Sequence, residues 1–183
     1  MDSGLVPSGA PRNDTIMERF ATDRLIAERL REDHLADLVA LHLDPLVSRY
    51  LGGVRSPEAT AAYLAAAMAH WDRHGFGIFA LRNGAGEFAG RAGIRRAVID
   101  GAQELEIVYT LKRDLWGRGL ASEIAAALTS LARAQLESPS LVGLVAVGND
   151  ASCRVLENCG FTRERTTLSR GEEVLLYRSA AGP

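Results

Sequence analysis

Leu111-Lys112-Arg113-Asp114-Leu115-Trp116-Gly117-Arg118-Gly119-Leu120-Ala121 joins two segments of different hydrophobic period, and that change of period decides the fold class. Upstream, Glu104 to Leu111 alternates as a strand, with Glu104, Glu106, Val108 and Thr110 on one face. Downstream, Leu120, Ile124, Leu128 and Leu131 recur at helical spacing and predict a helix with a buried stripe. Leu141 to Val147 is uniformly apolar between turn signals, as expected of a strand covered on both faces. Residues 104–147 therefore form a strand–helix–strand unit, for which a right-handed parallel crossover is the default. The turn between strand and helix is rich in glycine. Such a turn presents successive backbone N–H groups at a helix N-terminus, where the dipole adds positive potential, and suits a pyrophosphate. A dinucleotide fingerprint would need Gly or Ala where Ser122 stands, and a P-loop would need a Gly-Lys-Ser/Thr run that is absent.

Outward from this unit the remaining elements are antiparallel. Asn149 or Asp150 caps a last helix that Gly160 ends, and Phe161–Ser169 with Glu172–Arg178 forms a hairpin around Arg170-Gly171. Upstream, residues 24–30 read as a strand and residues 32–43 as a helix ended by Pro45, with a short helical piece to Tyr50 before Gly52-Gly53. Ser56-Pro57-Glu58 opens a helix with Tyr63, Leu64, Ala67, Met68 and Trp71 on one face, stopped at Gly75. Phe76–Arg82 and Glu87–Arg96 form a hairpin over Asn83–Gly86, and Asp100-Gly101 turns the chain into the strand at 104. The expected fold is α/β: an α+β mixed sheet, largely antiparallel with one parallel strand pair, flanked by helices.

Composition bounds the function. The chain has 183 residues, a length that fits one domain over 21–180, while residues 1–20, rich in Ser, Gly, Pro and charge, are expected to be poorly ordered. Twenty-one basic against 23 acidic residues leave a net charge of −2, which excludes a domain that grips nucleic acid by bulk positive charge. Lys112 is the only lysine, a usage typical of a GC-rich, bacterial genome. Cys153 and Cys159 match no metal-ligand spacing and read as reduced thiols of a cytoplasmic protein. No metal is expected, and no apolar run is long enough to cross a membrane.

The stretch Asn149-Asp150-Ala151-Ser152-Cys153-Arg154-Val155-Leu156-Glu157-Asn158-Cys159-Gly160-Phe161 resembles the Asn-x-x-Ser-x-Arg-Val-Leu-Glu-Lys-x-Gly-Phe segment of the GNAT superfamily of N-acetyltransferases, in its RimJ/RimL-like branch. The turn at 116–121 is similar to the superfamily's Gln/Arg-x-x-Gly-x-Gly/Ala loop, with Trp116 in place of Gln/Arg and with Gly119 and Ala121 matching. Thr22-Asp23-Arg24-Leu25-Ile26 and Leu105-Glu106-Ile107-Val108-Tyr109 also match, so the resemblance spans residues 22–178.

That resemblance implies a GNAT-like fold and acetyl-CoA as co-substrate, bound in a V-shaped gap between the family's fourth and fifth strands, here 104–111 and 141–147. It implies that the backbone at Tyr109 and Leu111 bonds the pantetheine like an added strand. Trp116, Gly117, Arg118, Gly119, Leu120 and Ala121 would hold the pyrophosphate. Asn149 would contact the pantetheine arm, Ser152 would lie near the thioester sulfur, and Arg154 would reach the phosphates. The reaction is direct attack of an amine on a thioester carbonyl, which needs a deprotonated amine, a polarised carbonyl and an outlet for the thiolate. Glu106 is the expected general base through water, because a carboxylate inside an otherwise apolar strand is costly without a use or a partner; Glu104 shares its face and is the alternative.

One position departs from the family. Many members carry a tyrosine acid seven residues after the Asn, and here that residue is Leu156. Ser152 or unassisted departure of the thiolate would replace it. Cys153 has no histidine beside it and is not expected to act. His42, on an apolar helix face, reads as packed, whereas His70 and His74 end a helix that borders the acceptor pocket in this family. The resemblance thus implies an N-acetyltransferase acting on a protein N-terminus or a small amine. A non-catalytic acyl-CoA-binding module on the same fold is the competing class, favoured by the lost tyrosine and opposed by Glu106. Neither nucleic acid nor membrane is an expected partner. Homodimers are frequent in the resembling branch, which makes a second copy of the chain a candidate partner.

Overall fold

The computed structural model describes residues 18–136 and 140–179, over which groups of strands and helices are interspersed. The order is β1 (Arg19–Ala21), β2 (Leu25–Arg29), α1 (Leu35–Leu43), α2 (Pro45–Ser48), α3 (Pro57–His74), β3 (Ile78–Asn83), β4 (Phe88–Ile99) and β5 (Ala102–Leu111). After β5 follow α4 (Leu120–Gln135), β6 (Val142–Ala146), α5 (Asp150–Asn158), β7 (Phe161–Ser169) and β8 (Glu172–Ser179). The eight strands form one sheet in the order β1-β2-β3-β4-β5-β6-β8-β7. Its pairs are antiparallel except β5 with β6.

Local chemistry explains the corners. Asp100 (φ 50°) and Gly101 (φ 80°) both take positive φ, as do Arg170 (φ 53°) and Gly171 (φ 83°), the geometry of two-residue hairpin turns that match strand twist. Ser56 caps α3 by accepting from the Ala59 N–H, Pro57 fills its first turn, and Gly75 at φ 72° closes it. On one face of the sheet, Ile107 and Leu111 of β5 join Leu120, Ile124 and Leu128 of α4 and Leu156 of α5 in a buried core. On the other, Ile78 and Ala80 of β3 pack with Leu38 and Leu41 of α1 and Leu64 and Ala67 of α3. Helices therefore cover both faces.

Several boundaries differ from the sequence reading. β1 begins inside the stretch 1–20 expected to be poorly ordered, because Arg19–Ala21 pairs with β2; residues 1–17 lie outside the described residues. Glu32–His34 forms a 3-10 turn, so α1 starts at Leu35 and ends at Leu43 as read; Pro45 then opens α2, the short helical piece expected there, where Asp44 accepts from the Leu46 and Val47 N–H groups and proline needs no donor. The strand at 142–146 is not covered on both faces: Leu144 and Ala146 are half-buried and line a cavity.

Candidate active site

The parallel pair supplies the opening. Its ladder holds only Glu106 against Val142, yet β5 continues to Leu111 while β6 stays bonded to β8 through Ala146. Backbone direction along β5 follows from one bond: the Lys112 N–H donates to the Ala89 carbonyl at 2.9 Å. Antiparallel pairing alternates, so even-numbered residues of β5 turn their backbone groups to β4 and odd-numbered ones turn theirs away. Tyr109 and Leu111 thus present N–H and C=O toward the gap, beyond the last bond to β6. The Leu111 carbonyl is already taken by the Trp116 indole N–H at 3.0 Å.

A cavity of about 900 Å³ runs through this gap. Glu106, Val108 and Thr110 line it from one face of β5, and Ile107 and Tyr109 from the other. Glu106 is 4% exposed. Arg95, directly across on β4, donates Nε and Nη2 to its Oε2, both at 2.8 Å. The strand carboxylate therefore has both a cavity and a partner. Glu104 lies outside the cavity lining: Arg178 holds its Oε1 at 2.8 Å and its Oε2 at 3.1 Å.

At the far end of β5 the turn meets α4. Gly117 and Gly119 take φ of 73° and 76°, and Gly119 is the N-cap of α4. A Cβ on Gly119 would meet only the Arg24 Nη2, at 3.6 Å, so open space lies beside the backbone there. Leu120 is buried in the core and Ala121 half-buried against it, leaving their backbone N–H groups as the polar part of the turn. Arg118 is exposed, and its carbonyl accepts from Arg24 Nη1 at 2.7 Å. Arg24 also holds Glu123 through its backbone N–H at 2.9 Å and its Nε at 2.6 Å, and Thr22 donates to the same carboxylate. Burial alone would raise the Glu123 pKa; these bonds outweigh it and hold the carboxyl below its usual range. The Thr22–Arg24 segment is thus a brace that fixes the glycine turn.

α5 closes the other side. Asn149 is its N-cap and accepts from the Ser152 N–H at 3.3 Å; both residues line the cavity. The Tyr109 hydroxyl donates to the Ser152 carbonyl at 3.2 Å, and burial pushes its pKa well up, so it stays protonated. Leu156, at the position of the family's tyrosine, is 1% exposed and fits against Gly143, where an added Cβ would come within 2.7 Å of its Cδ1. Arg154 is exposed and outside the cavity lining. Cys153 and Cys159 are free thiols, and burial raises the Cys159 pKa.

Sequence reasoning missed the arginines. Arg91 and Arg95 stand at i and i+4 of β4, on the face they share with Thr110 and Glu106, and Arg55 joins them from the loop before α3. Their signal was a pair of charges four residues apart, hence on one face, in a strand whose residues 88–95 are otherwise Phe, Ala, Gly and Ile. His42 is fully buried, as expected of a packed residue: it contacts the Thr60 hydroxyl through Nδ1 at 3.1 Å and accepts from Arg91 Nε at its Nε2 at 3.3 Å. Burial, then Arg91 and Arg55, pull its pKa down to about 4, so the ring is neutral. His70 lines the cavity, but both ring nitrogens are engaged, Nδ1 with the Phe76 carbonyl at 2.9 Å and Nε2 with the Arg96 N–H at 3.0 Å. His74 does not reach the cavity lining. Among the described residues no cluster is placed to hold a metal ion, and no helix is long and apolar enough to cross a membrane.

Known proteins share this architecture. An acetyltransferase from Agrobacterium tumefaciens is 27% identical, with a TM-score of 0.77 over 97% of this chain and 98% of its own. A GNAT-family acetyltransferase from Bacillus anthracis is 20% identical, with a TM-score of 0.71 over 87% and 95% of the two chains. RimL, a ribosomal alpha-N-protein acetyltransferase solved with coenzyme A, is 21% identical, with a TM-score of 0.70 over 87% and 96%. The model of the acetyltransferase (GNAT) domain matches residues 24–162, which hold Arg24 with its partner Glu123, the gap, the glycine turn and α5 alike, and the chain belongs to that family.

Proposed function

We propose that the chain transfers the acetyl group of acetyl-CoA to a primary amine by direct attack, as a RimJ/RimL-like N-acetyltransferase. The observation that carries this reading is a single cavity joining both faces of the sheet where β5 and β6 part, with the buried carboxylate of Glu106 in its wall. The likeness to RimL, solved with coenzyme A, supports acetyl-CoA as the co-substrate.

Acetyl-CoA supplies the activated carbonyl, a thioester whose sulfur leaves readily. The N–H groups of the 117–121 turn receive its pyrophosphate at the start of α4. Tyr109 and Leu111 take the pantetheine as an added strand; with the Leu111 carbonyl held by Trp116, its N–H and the Tyr109 backbone do this work. Asn149 steadies the arm. Glu106 accepts the proton of the attacking amine through a water, and Arg95 keeps the carboxylate in place. The N–C bond forms and the C–S bond breaks with its electron pair on sulfur. The Ser152 hydroxyl bonds that sulfur until solvent protonates it. Arg154 has no step.

Leu156 in the tyrosine position favours the second reading, an acyl-CoA-binding module without turnover. Thiol release from acetyl-CoA over a panel of amines and N-terminal peptides separates the two. Amine-dependent release is expected. Tight binding of CoA with no release under any amine assigns the chain to the module.

A further inference from the structure

Resting on the acetyl-transfer reading of the cavity, we propose that its acceptor end is built for an amine that also carries an anionic group, with Arg55 and Arg91 holding the anion while the amine lies toward Glu106.

The argument starts from charge without partners. Arg91 is 5% exposed, and its nearest polar contact is the neutral ring of His42. Its guanidinium carbon lies 4.7 Å from the Tyr63 ring centre, and that of Arg55 lies 5.1 Å from the same ring. The Arg55 Nη1 is buried with no hydrogen-bond partner, and its Nη2 reaches only the Leu51 carbonyl, at 3.4 Å. Among the described residues neither guanidinium has a carboxylate within ion-pair distance. Burial and then Arg91 pull the Arg55 pKa below its ordinary value, the mark of a cation lacking a counter-charge. Buried charge is normally paired, because desolvation is otherwise uncompensated.

The neutral donors point the same way. The Tyr63 hydroxyl and the Thr110 Oγ1, the latter directly across the ladder from Arg91, are also buried without partners, and both residues line this cavity. Two guanidiniums and two hydroxyls make a donor set with no anionic acceptor among the described residues. The cavity's own acids do not fill the role: Glu106 is held by Arg95, and Glu172 is exposed beside Arg170 on the β7–β8 turn. A polycationic acceptor would add charge of the wrong sign.

Spacing fits a small zwitterion. Arg91 and Arg95 are four residues apart on one face, about 13 Å of strand, and Glu106 stands opposite Arg95. Arg91 and Glu106 both line the cavity, one at each end of that interval. The anion is an oxyanion on the acceptor: a carboxylate, as on a free amino acid, or a phosphate ester.

The test compares acetyl-CoA thiol release for free amino acids, their methyl esters and amides, phosphoethanolamine and spermidine. Anionic amines are expected to exceed the esters, amides and spermidine by about 10- to 100-fold in kcat/KM, and the better of carboxylate and phosphate names the anion. Arg55→Gln should erase most of that preference through KM. Arg91→Lys, which keeps the charge and guards against misfolding, should erase part of it. CoA affinity by calorimetry should stay within twofold in both variants. Equal turnover of acids and esters, or a CoA affinity that falls with the activity, overturns the proposal; the latter would assign the arginines to the co-substrate. If no amine is acetylated, the acetyl-transfer reading fails separately. Calorimetry of N-acetyl amino acids against their amides, on the CoA-bound protein, then decides the anion site alone: preference for the acid supports it, and equal binding sinks it.

Discussion

Glu106 and Glu104 sit two residues apart on one strand face, and their surroundings give them different work. Glu106 is in the cavity wall with one oxygen bound by Arg95, whereas Glu104 has both oxygens bound by Arg178 across the sheet edge. Glu106→Gln preserves shape and can still accept from Arg95, but it cannot take up a proton at neutral pH. Loss of a general base costs about 10²–10⁴ in rate, so turnover should fall by that order with CoA affinity unchanged. The loss should shrink at high pH, where the amine is already deprotonated. Stability should hardly change, because the Arg95 side chain is 39% exposed and remains hydrated without its partner. Glu104→Gln should leave turnover near wild type and cost no more than about 1 kcal/mol of stability. If steady-state kinetics show the reverse pattern, Glu104 is the base; if both variants stay active, positioning alone carries the reaction.

The glycine turn and α4 act as one element, braced from the N-terminal side. Gly119→Glu puts a carboxylate where N–H groups face solvent. The space is there, since only Arg24 lies near a Cβ at that position, and the cost to folding is the positive φ alone, about 1 kcal/mol. Calorimetry should therefore show CoA affinity falling by at least about tenfold while circular dichroism stays native; unchanged affinity in the folded variant removes this turn from cofactor binding. The turn, the parallel unit and both hairpins were legible because glycines, caps and alternating periods mark them locally. Pro45 marks both the end of α1 and the start of α2 by the same missing N–H, and the Asp44 side chain, bonded forward, caps the second. β1 was missed because three residues carry no period. The brace was visible in sequence only as a matching motif, since Thr22 and Arg24 act on Glu123, 99 to 101 residues away.

At the scale of the whole molecule, what the sequence hid is which charges the fold brings together across elements. Glu106 stood out on its strand, with Glu104 beside it; Arg55, Arg91, Tyr63 and His42 come from a loop, a strand and two helices, and no spacing links them. Their convergence has a consequence for stability. Burial first, and then neighbouring arginines, hold His42 at a pKa of about 4; burial likewise lowers His70 and His74. A histidine whose folded pKa lies below its unfolded value near 6.5 is neutral in the native state when the unfolded chain already binds a proton. Stability from such groups is full above about pH 6.5 and is lost as pH falls toward the folded pKa. For fully buried His42 the shift from 6.5 to about 4 is worth on the order of 3 kcal/mol. The carboxylates held by ion pairs, Glu28 and Glu123 among them, have lowered pKa values and lose their contribution only below about pH 4.5, a separate window. Urea unfolding between pH 7 and pH 5 should therefore show stability falling steadily, and His42→Gln should flatten much of that slope, since it removes the largest proton-uptake difference. An unchanged slope in that variant, or a His42 ring that titrates near 6.5 by NMR, would mean that neither burial nor the arginines press on it. Protonation of His42 also turns its Nε2 from acceptor to donor, so the bond from Arg91 is lost at the same pH that charges the ring, and the arginine pair and the stability of the fold respond together.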